Sequence, residues 1–336
     1  MTATPRPAHQ VLAESGLDPD AVLALVRAAL EEDLALGPDV TSEATVPAEA
    51  TCTGVIAARA PGVLAGLPVA ELVFQTCSGG AVRTHRLVED GTNVSAGQPV
   101  LRITGPTRAV LTAERTALNL LCHLCGVATQ TRAWVEAVAG TGATIRDTRK
   151  TTPGLRALEK YAVRRGGGTN HRMGLGDAAL VKDNHLAATG GVAAALARLG
   201  EHAPGIPVEV ECDTVEQVRE AIAAGARQIL LDNMGLADLR AAVALARAAA
   251  RTGDAHAGAS APRDGRTRAP GITLEASGGL TLATARAVAE TGVDFLAVGA
   301  LTHSAPALDL GLDLETPAPD TSSAAQRRAK ASPTRG

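Results

Sequence analysis

The sequence predicts an α/β protein: a β-rich N-terminal module followed by an incomplete, distorted α/β barrel. Three observations predict it. Residues 51–103 are short Val-rich pieces punctuated by Gly and Pro, the grammar of strands and tight turns. Beyond Gly140, six apolar strand-like runs occur, and each but the last is followed by a helical run. Those runs end in polar residues, where barrels keep their chemistry. Doubly wound sheets share the alternation, but the polar strand ends favour a barrel. Six units are fewer than the eight of a closed barrel, so the barrel is expected to be incomplete.

The elements follow in order. Residues 1–17 are rich in Pro and Ala and are expected to be loose. Asp18-Pro19 reads as a helix start, and "AVLALVRAALEEDL" carries helical apolar spacing. "CTGVIAARAPGVLAG", "GGAVRTHRLVEDGTNV" and "GQPVLRITG" read as strands, interrupted by a short helix, "PVAELVFQTC". Pro106 opens a long helical stretch with Gly126 and Gly140 as points of interruption and arrest. Placing the junction at Gly126 gives an N-terminal domain over 18–126 and a barrel over 127–315. The barrel strands are "ATIRDTRK", "AALVKDN", "PVEVEC", "QILLDN", "ITLEASGG" and "DFLAVGA". An aperiodic Gly/Ala/Arg-rich stretch at 252–271 reads as a flexible insertion, and 316–336 has a disorder-like composition.

Composition removes several functions. Aromatics are 1% of 336 residues, too few for the stacking platforms of single-stranded nucleic-acid binders. The formal charge of −3 gives no global basic field, so no nucleic-acid partner is expected. No apolar run approaches the roughly 18 residues of a membrane span, so no membrane partner is expected either. The N-terminus lacks a signal core, and five cysteines do not suggest a disulfide framework; a reducing cytoplasm fits. Cys122 and Cys125 form a CxxC, but with no second pair and a helical setting it reads as part of a helix.

Against this near-neutral background, local cations stand out. Arg149 and Lys150 end the first barrel strand, His171 and Arg172 stand in "GGGTNHRMGLGD", and Lys182 ends the second strand. Taken singly, each would be expected to pair with a surface acid. Together at neighbouring strand ends they suit a ligand with several negative charges, because Arg offers a planar fork and Lys a point charge. Glu211 and Asp232 end the third and fourth strands and could hold sugar hydroxyls or Mg²⁺, or pair with Lys150 or Lys182. Glu209 shares the face of Glu211 one layer deeper. "ASGGL" and "AVGAL" end the last two strands, where backbone N–H groups can cradle a phosphate or simply make a tight turn. The residues alone therefore describe a phosphosugar-binding barrel with a strongly anionic second ligand. A Schiff-base aldolase acting through Lys182 is the competing enzyme reading.

"TRKTTPGLRALEKYAVRRGGGTNHRMGLGDAALVKDNH" resembles the signature region of the quinolinate phosphoribosyltransferases, the carboxylating nicotinate-nucleotide pyrophosphorylases. "EEDLALGPDVTSEATVP", "AERTALNLL", "VEVEC", "ILLDNM", "LEASGGL" and "VGALTHSAPALDLGLD" fit the same family in order, from about Asp18 to Leu314. The resemblance implies conversion of quinolinate and phosphoribosyl pyrophosphate to nicotinate mononucleotide, pyrophosphate and CO₂ in NAD biosynthesis, with Mg²⁺. It also implies an α+β open-sandwich N-terminal domain, and a homodimer in which Arg115 crosses to the partner's site. By motif, Arg149, His171 and Arg172, with Lys150 and Lys182, match the pocket for the quinolinate carboxylates and the pyrophosphate, and Thr148 beside them offers a hydroxyl or backbone contact. Glu211 and Asp232 match the acids near ribose and metal. Ser277, Gly278 and Gly279, with Val298, Gly299 and Ala300, match the loops near the 5′-phosphate. Catalytic roles fall to Lys150, Glu211 and Asp232, and Arg146 is left outside the site. A relative acting on nicotinate is the nearest competing reading, and the tight cation cluster favours the dicarboxylate.

Overall fold

The computed structural model describes residues 6–252 and 271–315. The tail expected at 316–336 lies outside the described residues, as does the insertion at 252–271 apart from its end residues. The N-terminal domain comprises α1 (Ala8–Glu14), α2 (Pro19–Leu34), α3 (Val40–Thr45), β1 (Thr51–Ala58), β2 (Gly62–Val63), α4 (Leu67–Cys77), β3 (Arg83–Arg86), β4 (Asn93–Val94) and β5 (Pro99–Pro106). It leads into the long α5 (Thr107–Ala137). The loose segment expected over 1–17 needs correction, since α1 lies within it and buries Ala8, Val11 and Leu12. Three apolar residues at helical spacing, packed against α2 and α4, outweigh the Pro-rich composition of its start.

α2 begins where the sequence says. Asp18 caps it by accepting from the Asp20 and Ala21 N–H groups, and Pro19 occupies the first turn. Its Val22, Val26 and Leu30 recur every fourth residue on the buried face. α5 runs 31 residues, about 46 Å, without a break at Gly126. That glycine answers a packing need. A Cβ there would sit 2.2 Å from the Pro306 carbonyl oxygen, so only glycine lets the chain after the barrel cross the helix.

The barrel contains β6 (Thr144–Arg146), α6 (Arg156–Gly166), β7 (Ala179–Val181), α7 (Asp183–Thr189), α8 (Val192–His202), β8 (Val208–Cys212), α9 (Val215–Ala223) and β9 (Gln228–Asp232). α10 (Leu236–Thr252), β10 (Thr273–Ser277), α11 (Leu282–Ala289), β11 (Phe295–Ala297), α12 (Ala300–His303) and β12 (Leu310–Leu314) complete the chain. Six parallel strands form one sheet in the order β6-β11-β10-β9-β8-β7. The last barrel strand pairs with the first, as closure requires, but β6 and β7 remain as two edges. The barrel is therefore open along one seam. There, Thr169 makes a single parallel bridge to Arg146.

β12 departs from the expected division at 127–315. It pairs antiparallel with β1 and becomes the edge of a four-stranded N-terminal sheet ordered β12-β1-β5-β3. The chain thus leaves the first domain, builds the barrel and returns. Strand interiors such as Ile145, Val210, Ile229, Leu231, Leu274 and Leu296 are buried and form part of one continuous core.

Candidate active site

The polar strand ends found in the sequence lie together at one mouth of the barrel, because parallel strands deliver their C-terminal ends to one face. Thr148, Arg149 and Lys150 follow β6, Lys182 follows β7, Glu211 is in β8, Asp232 ends β9 and Ser277 ends β10.

The cations differ in their partners. Lys182 Nζ donates to Glu211 Oε2. Arg149, Lys150 and Arg172 make no side-chain ion pair among the described residues. Arg149 even buries its Nε without a hydrogen-bond partner. Burial, then the neighbouring Arg149 cation, holds Arg172 below the usual guanidinium range, which places the two forks close together. Asp177 and Glu209 offset part of that effect, and like charges this close are costly unless an anion completes them. Arg172 is braced by its Nη1 donating to the Ala178 carbonyl at 3.0 Å. Lys150 is held by its backbone, whose N–H donates to Thr148 Oγ1 at 3.0 Å and whose carbonyl accepts from Thr302 Oγ1 at 2.8 Å.

The acids gather beside Lys182. Burial, a hydrogen bond with Asp183, and the charges of Asp183, Asp232 and Glu211 together push the Asp213 carboxyl up. Among the described residues, the His, Cys, Asp and Glu ligand atoms that lie within 4.8 Å of one another belong to a different group, His171, Glu209 and Glu275.

Beside Lys150, between the loops that follow β10 and β11, lies a cavity of about 220 Å³. Thr148, Lys150, Ser277, Gly278, Gly299 and His303 are among its lining residues, with Gly279, Val298 and Ala300 beside them. Two glycines shape it. Gly278 has φ +84°, and a Cβ on it would sit 2.2 Å from Asn233 Oδ1. Asn233 is itself left-handed at φ 53°, with its N–H donating to the Ser277 carbonyl at 2.9 Å and its Nδ2 to Asp232 Oδ2 at 2.7 Å. A Cβ on Gly299 would lie 2.9 Å from Lys150 Cδ, so its absence makes room for the lysine stem.

A charged layer lies beneath the mouth, two residues down each strand. Arg146 Nη1 donates to Glu275 Oε2 at 2.6 Å, and its guanidinium stacks 3.5 Å over the Phe295 ring. His171 Nδ1 accepts the Arg172 backbone N–H at 2.7 Å, so its proton sits on Nε2 and is donated to Glu209 Oε2 at 2.8 Å. Burial raises Glu209 to about 7, opposed chiefly by Arg146. Burial and then the Glu209 charge raise Glu275 to about 7, with Arg146 opposing. Burial is also the main cause lowering His171.

Of the residues expected at the site, the strand-end and loop residues gather at the barrel mouth, His171 lies in the charged layer beneath it, and Arg115 stands apart on α5. That residue is exposed on α5, in the N-terminal part of the chain, with no ion pair among the described residues. Arg146 lies below the mouth, paired with Glu275. Sequence reasoning missed His303, Glu275, Asp147 and Lys160. His303 ends α12, just after the last barrel strand, where its position alone was a signal; the others are buried charges that nothing local distinguishes. The CxxC is indeed helical, and burial pushes the Cys125 thiol up.

Two family descriptions match the chain. "Quinolinate phosphoribosyl transferase, N-terminal domain" matches residues 39–125, and "Quinolinate phosphoribosyl transferase, C-terminal domain" matches residues 127–313. The nicotinate-nucleotide pyrophosphorylase [carboxylating] of Mycobacterium leprae is 51% identical over 296 residues, 88% of this chain and 98% of that protein. The probable enzyme of the same name from Synechocystis sp. is 42% identical over 258 residues, 76% of this chain and 81% of its own. The solved nicotinate-nucleotide pyrophosphorylase of Francisella tularensis superposes with a TM-score of 0.77 at 35% identity, covering 88% of this chain and 96% of that one.

Proposed function

The chain belongs to the quinolinate phosphoribosyl transferase family, and from that premise we propose how its residues divide the work. The enzyme is a pentosyltransferase that converts quinolinate and phosphoribosyl pyrophosphate to nicotinate mononucleotide, pyrophosphate and CO₂ in NAD biosynthesis. The observation that carries the division is the set of cations without acid partners, Arg149, Lys150 and Arg172, at the barrel mouth.

Arg149 and Arg172 grip the two quinolinate carboxylates, with Thr148, His171 and Lys182 around them. A planar guanidinium matches a carboxylate with two parallel hydrogen bonds. Gripping both carboxylates sets the pyridine nitrogen toward the ribose C1, and orientation of this kind converts a bimolecular encounter into a local one. Lys150 meets the pyrophosphate as it leaves, offsetting charge that grows in the transition state. Glu211 and Asp232 lie by the ribose, where carboxylates favour the cation-like C1. The loops Ser277–Gly279 and Val298–Ala300 take the 5′-phosphate with backbone N–H groups. Once alkylated, the pyridine nitrogen is positive and stabilises the carbanion left by CO₂. Glu211 and Asp232 would hold Mg²⁺, with Asp183 and Asp213 adjoining; the ion would neutralise phosphate charge.

Lys182 Nζ is held by Glu211 in an ion pair, whereas a Schiff-base lysine must present a free amine to its carbonyl substrate. The aldolase reading therefore gives way to the family's chemistry.

Arg115, exposed on α5 with no ion pair among the described residues, is assigned to the partner's site in a homodimer. No helix among the described residues is long and apolar enough to cross a membrane, and five free cysteines support a reducing cytoplasm as the location. Subunit mixing tests the assignment. Arg115→Ala and Lys182→Ala homodimers are each expected to be nearly inactive, and mixing them should restore up to about a quarter of wild-type turnover through one intact site per heterodimer. No recovery after verified subunit exchange would sink the shared site.

A further inference from the structure

α6 carries a polar row that neither the fold nor the pocket accounts for. Lys160 and Asp147 are fully buried, and Lys160 Nζ donates to Asp147 Oδ1. The same lysine donates to the His171 carbonyl at 3.1 Å. Asp147 Oδ1 also accepts the His171 backbone N–H at 2.8 Å, and its Oδ2 accepts from Asn170 Nδ2 at 2.5 Å. Asn170 Nδ2 reaches the Lys160 carbonyl at 2.9 Å, and its Oδ1 accepts from Arg164 Nη1 at 2.6 Å. One residue along α6, Glu159 accepts the Thr152 N–H at 3.1 Å, just past Lys150.

The place of this cluster in the topology gives it meaning. Asp147 stands two residues before Arg149. Asn170 and His171 stand just before Arg172, on the segment that bridges to β6 across the open seam. No strand pairing fixes that segment to β6 beyond the single bridge at Thr169. A buried ion pair is poor evidence for stability, because desolvation cancels much of its attraction. Burial does push Asp147 up and Lys160 down, and each is the other's main counterweight. What a buried pair with several hydrogen bonds supplies is a defined geometry.

We propose that Lys160 and Asp147, with Asn170, are positioning residues that lock the seam segment to the end of β6 and so set the spacing of Arg149 and Arg172 for a dicarboxylate. The pair stands beneath the ligand and does not touch it. The proposal rests on the reading of those two arginines as the quinolinate grip.

The test uses the full-length enzyme in four variants: Lys160→Met, Asp147→Asn/Lys160→Met, Asn170→Ala and, as a control, Arg172→Ala. The Michaelis constants for quinolinate and for phosphoribosyl pyrophosphate are measured separately, with the unfolding temperature. Lys160→Met should lower the unfolding temperature and raise the quinolinate constant about tenfold or more, since loss of orientation alone reaches that scale. The double variant, with no buried charge left unpaired, should recover much of the unfolding temperature but not the quinolinate constant. Asn170→Ala leaves no unpaired charge and should raise the quinolinate constant about threefold, with the second substrate little changed. A folded double or Asn170→Ala variant with the wild-type quinolinate constant overturns the positioning role. Equal rises for both substrates also overturn it, as general disruption. If Arg172→Ala itself keeps the wild-type quinolinate constant, the reading of the grip fails instead.

Discussion

Replacing Gly278 with Ala should separate the Asp232–Asn233 turn from the Ser277 loop, and the cost follows from the geometry. Gly278 has φ +84°, a conformation that costs an L-residue about 1–2 kcal/mol. The new Cβ would stand 2.2 Å from Asn233 Oδ1 and 2.9 Å from the Asn233 backbone nitrogen. The side-chain amide can rotate away, but it then gives up its 2.7 Å bond to Asp232, worth about 0.5–1.5 kcal/mol. The backbone nitrogen cannot move without straining its 2.9 Å bond to Ser277. The first two costs sum to about 1.5–3.5 kcal/mol, split between fold stability and site distortion. Urea unfolding reads the first part. Steady-state kinetics read the second: the Michaelis constant for phosphoribosyl pyrophosphate should rise about tenfold, the equivalent of 1.4 kcal/mol, with quinolinate less affected. Wild-type stability together with a wild-type constant for phosphoribosyl pyrophosphate would refute the reasoning.

Gly299→Ala puts a methyl 2.9 Å from Lys150 Cδ, a flexible stem that can yield, so turnover should fall while the urea midpoint stays near wild type; an unchanged kcat would show that Lys150 does not act from that position. Glu275, raised to about 7, keeps its proton in the folded protein after the unfolded chain has released its own near 4.5. Its contribution to stability is therefore present below pH 4.5 and is lost as the pH rises to about 7. Glu275→Gln removes that dependence, so its stability relative to wild type should improve by about 1–3 kcal/mol between pH 5 and pH 8, read from paired urea melts; a pH-independent difference would contradict the raised carboxyl.

Much of the site was legible because local patterns encode it. Arg149, Lys182, Glu211, Asp232 and Ser277 each close an apolar run, and parallel topology carries such ends to one mouth. The boundaries of α2 were legible for a similar reason, since a capping Asp and a following Pro act within one turn. What escaped depends on contacts between distant residues. Arg146 and Glu275 are 129 positions apart, and neither strand announces the other. Gly126 looked like a helix interruption because its real constraint, the Pro306 carbonyl, arrives from the far end of the chain. The return of β12 to β1 was hidden likewise, as was the seam between β6 and β7, since alternation reports units and not which edges pair. Lys160 escaped because a lone lysine on a helix is ordinarily a solvated one.

The central claim is that Arg149 and Arg172 grip the two carboxylates of quinolinate. Calorimetric titration tests it most directly, with quinolinate and nicotinate in turn added to wild type, Arg149→Ala and Arg172→Ala. Wild type should bind quinolinate more tightly than nicotinate. Each variant should lose about ten- to a hundredfold in quinolinate affinity, the worth of charged hydrogen bonds, and much less for nicotinate. Equal affinity of wild type for the two acids, or undiminished quinolinate binding by both variants, would contradict the claim.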